Sequence, residues 1–153
     1  MDRFFIRFLG AFVVVFVLDQ GIKQLFLGGF DWNSRCISLN LTLNKGVAFS
    51  MFAFLGAWLK YIQVLLIGGV LGYIVYARAR LQEYALALGL LMGGGISNLL
   101  DRFLHGGVVD YVYWHCGFDF AIFNFADVMI DLGVLLILIV SFRKDKENRE
   151  KTN

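Results

Sequence analysis

Four apolar stretches, each about 20 residues long, decide most of what this chain can fold into. The hydrocarbon core of a bilayer is roughly 30 Å thick and needs about 20 apolar residues per helical span. Apolar residues make up 59% of the 153 residues and charged ones only 17%, which excludes an ordinary soluble domain. The sequence therefore predicts an all-α membrane protein, a single integral-membrane domain over residues 1–153, with four transmembrane helices at roughly residues 8–27, 57–77, 84–104 and 123–142.

The beginning of the first stretch resembles a secretory signal peptide, because Arg3 and Arg7 precede an apolar run. No small-x-small cleavage pattern follows, and three further apolar stretches come after it. We therefore interpret this segment as a retained first transmembrane helix.

The basic residues predict the orientation of the spans, since short loops rich in Lys and Arg remain cytoplasmic. With both termini and the turn near residue 80 inside, nine of the 14 Lys and Arg are cytoplasmic, and residues 28–56 and 105–122 form the outward loops. The basic tail then favours contact with anionic membrane lipids and does not indicate nucleic acid. The nine cytoplasmic residues are Arg3, Arg7, Arg78, Arg80, Arg143, Lys144, Lys146, Arg149 and Lys151.

Polar side chains from three spans gather at one depth, near the predicted outer ends of the helices. The rise of 1.5 Å per residue sets this depth, and scattered solvated faces would not share it. Residues three or four apart also lie on one face of a helix, where ion pairs and interhelical hydrogen bonds form. For the Asp19–Lys23 and Asp101–Arg102 pairs alone, a structural hydrogen bond or an interfacial position is the simpler interpretation. The gathered residues are Asp19, Lys23, Asn98, Asp101, Arg102, Asp110, Asn124 and Asp127.

Two of these acids, Asp110 and Asp127, bracket a polar loop between the last two apolar stretches. An acid at the edge of a bilayer is costly to keep, which favours a functional role. Two converging carboxylates allow one to act as a base while its partner stays protonated. The alternative is that both face water and cap helices.

Glycines and cysteines add two structural expectations. Gly93, Gly94 and Gly95, with Gly89 one turn earlier, are expected to let span three pack closely against a neighbouring helix. Cys36 and Cys116 both fall in the outward loops, where a disulfide is permitted. The sequence leaves open whether they are bridged, and two free thiols is the interpretation that we favour.

Five motifs occur in order along nearly the whole chain, and together they resemble the bacterial lipoprotein signal peptidase (signal peptidase II) family. They are Asp19-x-x-x-Lys23, Asn44-Lys45-Gly46-Val47-Ala48-Phe49, Gly93-Gly94-Gly95-Ile96-Ser97-Asn98-Leu99-Leu100-Asp101-Arg102, Val108-Val109-Asp110 and Phe123-Asn124-Phe125-Ala126-Asp127.

The resemblance implies an intramembrane aspartyl endopeptidase of the bacterial cytoplasmic (inner) membrane, with a small extracytoplasmic β-sheet beside the four helices. It implies removal of the signal peptide from diacylglyceryl-modified prolipoproteins, just before the lipidated cysteine, on the extracytoplasmic side. No metal or organic cofactor is implied, and we expect a monomer. Asp110 and Asp127 match the catalytic pair; Asn98, Arg102, Asn124, Asp19, Lys23, Asn44, Gly46 and Asp101 match the residues that bind substrate or support the site.

Three departures from the family pattern stand out. The family usually has a Trp and a Pro shortly before the Phe-Asn-x-Ala-Asp motif, whereas here residues 114–122 begin with Trp114 and contain no proline. Ser97 stands where the family has a glycine. Asp131 stands where the family commonly has a small uncharged residue. It is either part of the site or a neutral acid hydrogen-bonded between helices, and we favour the second interpretation.

Three alternative functions make different demands on the polar residues. A proton-coupled transporter places its ionisable residues near the midplane and often shows repeated halves, whereas this cluster lies at one edge and no repeat is visible. A metal-dependent headgroup transferase needs grouped acids on the cytoplasmic side, which is basic here. A non-catalytic assembly subunit leaves the polar cluster without a purpose. His105 and His115 are too few and too scattered to define a metal site.

Overall fold

The computed structural model describes residues 2–46, 51 and 53–152, and Val47, Ala48 and Phe49 of the second motif lie outside this part of the chain. The described part contains four helices long and apolar enough to cross a membrane, together with a three-stranded sheet. The predicted fold class is therefore confirmed. The helices are α1 (Arg3–Leu27), α2 (Trp58–Ala77), α3 (Ala85–Leu104) and α4 (Phe125–Thr152), and the strands are β1 (Trp32–Asn33), β2 (Ile37–Asn44) and β3 (Val108–Trp114).

Helix α3 is the centre of the bundle because its glycines let two neighbours approach its backbone. A Cβ placed on Gly89 or Gly93 would lie 2.5 or 2.8 Å from a backbone oxygen of α1. A Cβ on Gly94 would lie 2.6 Å from a backbone oxygen of α4. The predicted close packing is confirmed at these three positions, but not at Gly95, where a Cβ would meet only a side chain of α2 at 3.8 Å.

Apolar packing fills the end of the bundle that holds the beginning of α1. Phe4, Phe8, Ile74, Ala85 and Met92 form a buried cluster there, in the first halves of α1 and α3 and the last turn of α2. The large apolar side chains of α2 are mostly exposed, as expected for a helix that faces lipid. The other end of the bundle is left for polar side chains.

The small sheet lies beyond the second end of the bundle and carries one of the candidate acids. Strand β2 pairs antiparallel with β1 on one side and with β3 on the other. Thr42 lies opposite Asp110, and an irregularity in register occurs between Leu39 and Thr42. Val112 also pairs with Phe123, which draws the chain back toward the beginning of α4.

Cys36 and Cys116 are joined by a disulfide, so the favoured interpretation of two free thiols is wrong. Cys36 immediately precedes β2 and Cys116 follows β3, and the His115 backbone N–H donates to the Cys36 carbonyl at 3.0 Å. The antiparallel pairing of β2 and β3 therefore brings two residues 80 positions apart together. Sequence spacing could not reveal this, because the register of the sheet was unknown.

Candidate active site

Asp110 and Asp127 line one cavity of about 320 Å³ at the polar end of the bundle. Asp110 comes from β3 and Asp127 from the first turn of α4, so two different elements supply the two acids. Further polar and apolar side chains complete the lining, namely Asn44, Gln63, Asn98, Arg102, Phe120, Ala121, Ile122, Phe123, Ile130 and Asp131.

The carboxylate of Asp110 is nearly inaccessible and receives two amide hydrogen bonds. Its Oδ2 accepts from Asn44 Nδ2 at 2.9 Å and its Oδ1 accepts from Asn124 Nδ2 at 2.7 Å. Burial raises the pKa of Asp110 to about 7, and the charge of Asp127 adds to the rise, while the two amide hydrogen bonds oppose it. Asp110 therefore exchanges its proton near neutral pH.

Asp127 is held by the hydrogen bonds that begin helix α4. Its Oδ2 accepts from the Asn124 backbone N–H at 3.1 Å, and Asn124 Oδ1 accepts from the Asp127 backbone N–H at 2.9 Å. This reciprocal exchange is a capping box, in which the cap residue and the third helical residue satisfy each other's orphan N–H groups. The second carboxylate oxygen of Asp127 accepts from Asn98 Nδ2 at 2.8 Å.

Asn124 and Asn98 connect the two acids. Asn124 Nδ2 lies 2.7 Å from Asp110 Oδ1 and 3.1 Å from Asn98 Oδ1. Because Asn98 in turn donates to Asp127, the carboxylates are joined through two amide side chains. Both asparagines thus donate to a candidate acid, and their role in the reaction stays a prediction.

A fully buried ammonium group supports Asn98 from α1. Lys23 Nζ lies 2.6 Å from Asp19 Oδ2, 2.6 Å from Asp101 Oδ2 and 2.8 Å from Asn98 Oδ1, so each of its three donors has an acceptor. The predicted Asp19–Lys23 pair is present. Asp19 also accepts from the Ala126 backbone N–H at 2.8 Å, which ties α1 to the first turn of α4.

Asp101 and Arg102 serve different neighbours rather than each other. Asp101 pairs with Lys23 and accepts from the Val109 backbone N–H at 3.1 Å, which positions the strand that carries Asp110. Arg102 points the other way: it donates to the Gly46 carbonyl at 2.6 Å and to Gln63 Oε1 at 3.0 Å. Asp101 and Arg102 were expected on one face of α3, but their side chains belong to two different hydrogen-bond networks.

Sequence reasoning missed three polar residues of these networks. Gln20 donates to Ser97 Oγ at 2.8 Å and to Asp101 Oδ1 at 2.9 Å, and the Ser97 hydroxyl donates to Asp19 Oδ2 at 2.6 Å. Gln63 holds Arg102. The sequence signals were a glutamine beside Asp19 for Gln20, a glutamine between apolar residues for Gln63, and a serine in place of glycine for Ser97.

Asp131 is not the interhelical acid that the sequence favoured. Its side chain is exposed and lines the same cavity as Asp127. In the part of the chain that the structure describes, it has no hydrogen-bond or ion-pair partner. The first of the two interpretations, a place at the site, therefore agrees with its position.

No group of three or more His, Cys, Asp and Glu side chains among the described residues is arranged to hold a metal ion. The site presents two carboxylates with amide donors, at the end of a helical membrane protein. Two carboxylates near one another share a proton, which is the chemistry of aspartic peptidases. The fold and the site thus define the class of the protein as a membrane enzyme of acid–base type.

Comparison with known proteins places the chain within that class. The family described as signal peptidase (SPase) II matches residues 11–143. The chain is similar to the lipoprotein signal peptidase of Wolinella succinogenes, with 60% identity over 92% of this chain and 96% of the relative, and to that of Helicobacter pylori strain 26695, with 52% identity over 94% and 92%. The chain belongs to the signal peptidase II family, whose members are aspartic peptidases that remove signal peptides from prolipoproteins.

Solved structures agree with this assignment. A bacterial membrane enzyme determined at 2.3 Å resolution superposes with a TM-score of 0.75 and 27% identity, covering 90% of this chain and 88% of that one. A second, determined at 1.9 Å, gives a TM-score of 0.71 and 26% identity, covering 85% and 88%. The four helices and the small sheet are therefore an established arrangement for a membrane enzyme.

Proposed function

We propose that Asp110 and Asp127 are the catalytic pair of this endopeptidase, which cleaves diacylglyceryl-modified prolipoproteins just before the lipidated cysteine. The observation that carries the proposal is the convergence of the two carboxylates on one cavity, linked through Asn124 and Asn98. The other predicted site residues take supporting roles: Asp19, Lys23 and Asp101 hold α1, α3 and β3 together, and Arg102, Asn44 and Gly46 position the first outward loop.

The chemistry follows from one proton shared by two acids. The ionised carboxylate takes a proton from water while the water oxygen attacks the scissile carbonyl carbon, and the protonated carboxyl donates a hydrogen bond to the carbonyl oxygen. The tetrahedral intermediate then breaks the C–N bond. The proton taken from water passes to the departing nitrogen, so the pair ends the cycle with one proton, as it began.

We further propose that the site faces the outside of the bacterial inner membrane and that both termini are cytoplasmic. The distribution of cations supports this orientation, because the basic residues collect at the other end of the bundle. There Lys144 Nζ lies 3.0 Å from Glu83 Oε1, and the guanidinium of Arg78 lies over the ring of Phe5. A site at the depth of the outer leaflet suits a substrate whose acyl chains remain in lipid.

The chain is proposed to act as a single integral-membrane domain and as a monomer. Both aspartates and all their described hydrogen-bond donors come from one chain. The exposed apolar side chains of α2, such as Leu65 and Leu66, then contact membrane lipid rather than a second copy.

Cleavage of a lipidated prolipoprotein by the purified protein tests the proposal. We expect Asp110→Asn and Asp127→Asn each to abolish release of the signal peptide, because each removes one of the two carboxyl groups that share the proton while keeping the shape of the side chain. Asp119→Asn is the matched control, since Asp119 is an exposed loop acid that accepts from the Tyr113 hydroxyl at 2.7 Å. Substantial cleavage by either of the first two variants would rule out the assigned pair.

A further inference from the structure

Asp131 is an acid that the proposed reaction does not use. It follows Asp127 by four residues on α4, so the two share a helix face and are about 6 Å apart along the axis. Both line the cavity, yet Asp131 is exposed and, within the described chain, has no hydrogen-bond or ion-pair partner. An unpaired acceptor therefore lies one helical turn from the candidate catalytic pair.

The other polar side chains around the cavity are already engaged. Gln63 accepts from Arg102 through Oε1 at 3.0 Å and donates to the Gly95 carbonyl through Nε2 at 3.4 Å. Asn98 bonds to Asp127 and to Lys23. Among the described lining residues, Asp131 is thus the carboxylate with no hydrogen-bond or ion-pair partner, so both of its oxygens are available to a bound molecule.

A peptide substrate brings a donor that needs such an acceptor. A segment that enters from the bilayer is helical there, because lipid cannot hydrogen-bond to its backbone. To reach two carboxylates its chain must be extended around the scissile bond, which breaks the helical hydrogen bonds of the neighbouring residues. Each N–H released in this way costs free energy unless the enzyme accepts it.

The direction of α4 indicates which part of the substrate meets Asp131. In the proposed orientation α4 runs inward from Asn124, so Asp131 is deeper in the membrane than Asp127. The signal-peptide side of the scissile bond is also the deeper side, because that segment spans the bilayer. An extended chain advances about 3.3 Å per residue, so 6 Å corresponds to about two residues.

We propose that Asp131 accepts a hydrogen bond from the backbone N–H of a residue about two positions from the scissile bond, on its signal-peptide side. Asp131 is then a substrate-positioning residue, and this role rests on the proposed function. Because the contact is made by bound substrate before and during reaction alike, its loss is expected to raise KM more than it lowers kcat.

An ester substitution in the substrate tests the contact directly. A synthetic peptide with a diacylglyceryl-cysteine is made with its ordinary amides and with a single ester, which lacks the N–H, at the first, second or third residue before the scissile bond. With the wild-type protein, one of the three esters is expected to raise KM about tenfold, the effect of losing one hydrogen bond. An ester on the other side of the scissile bond is the substrate control.

The matching protein change is Asp131→Leu, which suits a membrane helix. We expect it to raise KM about tenfold for the all-amide peptide and to remove the further effect of the sensitive ester. Asp131→Asn keeps an oxygen acceptor and should retain most of the affinity. Asp145→Leu, on the same helix but away from the cavity, is the control and should leave KM unchanged.

The outcomes separate this proposal from the one on which it rests. An unchanged KM for Asp131→Leu, or losses from the ester and from Asp131→Leu that simply multiply, would overturn the role of Asp131 alone. Failure of the wild-type protein to cleave the all-amide peptide would overturn the proposed function as well. Loss of the ester effect in Asp131→Leu, with the effect intact in Asp145→Leu, supports the contact.

Discussion

Replacing Lys23 with methionine is expected to destabilise the protein far more than the loss of an ordinary ion pair. The Lys23 ammonium is fully buried and lies 2.6 Å from both Asp19 and Asp101. Removing one partner of a buried pair costs about 3–5 kcal/mol, since the remaining charge is left uncompensated. Here two carboxylates lose the same cation, so we expect the free energy of unfolding to fall by about 5 kcal/mol.

The matched control is Lys144→Met. Lys144 makes one ion pair, 3.0 Å from Glu83, and Glu83 is largely exposed. Pairs of this kind contribute about 0–1 kcal/mol. Both variants can be compared with wild type by reversible unfolding in mixed micelles. A cost for Lys23→Met within about 1 kcal/mol of the control would refute the reasoning that the network depends on a charged lysine.

The same substitution should also lower activity at temperatures where the variant is still folded. Lys23 donates to Asn98 Oδ1, and this bond holds the amide so that Nδ2 faces Asp127. Without it Asn98 Oδ1 keeps only the donor from Asn124 Nδ2 at 3.1 Å, so the amide is held less firmly against Asp127. A triple variant that adds Asp19→Asn and Asp101→Asn should recover stability without recovering activity, because no uncompensated buried charge remains but Asn98 Oδ1 has still lost the Lys23 donor.

Three further predictions concern other parts of the site. Cleavage should decline as pH rises through about 7, where Asp110 loses its proton. Asn44→Leu should move this decline to higher pH, because the Asn44 amide favours the ionised form of the Asp110 carboxylate. A pH–rate profile of each protein measures both effects. Gly94→Val should cost at least about 1–3 kcal/mol by overpacking and abolish cleavage, whereas Gly95→Ala should have little effect in the same unfolding and cleavage assays. Cys36→Ser should lower the unfolding temperature, and reduction should lower it for wild type but not for this variant.

Much of the architecture could be predicted because a bilayer permits few solutions. Apolar length alone set the number of helices, and the depth of polar residues along them indicated one polar end. The glycines of α3 predicted close helix packing, and three of the four lie against the backbone of a neighbouring helix. Gly95 did not, since adjacent glycines face different directions around a helix and only some of them can meet a neighbour.

What could not be predicted depends on contacts between segments that are distant in the chain. Asp101 and Arg102 are neighbours, which favoured a local interpretation, yet one turns toward α1 and the other toward α2 and the first loop. The disulfide required the register of β2 against β3. The position of Asp131 required the shape of the cavity, because its spacing from Asp127 is equally compatible with a neighbouring helix.

The capping box gives a physical reason for the spacing of the last motif. Asn124 and Asp127 must be three apart for each to bond the other's backbone N–H, so the hydrogen bonds that begin α4 also fix a carboxylate of the candidate pair. The Asn124 side chain then has its amide donors left for Asp110 and Asn98. An Asn124→Asp exchange would keep the cap but place a third carboxylate against Asp110. Helix formation alone therefore does not account for an asparagine at this position, whereas the need to hold two acids with one neutral amide does.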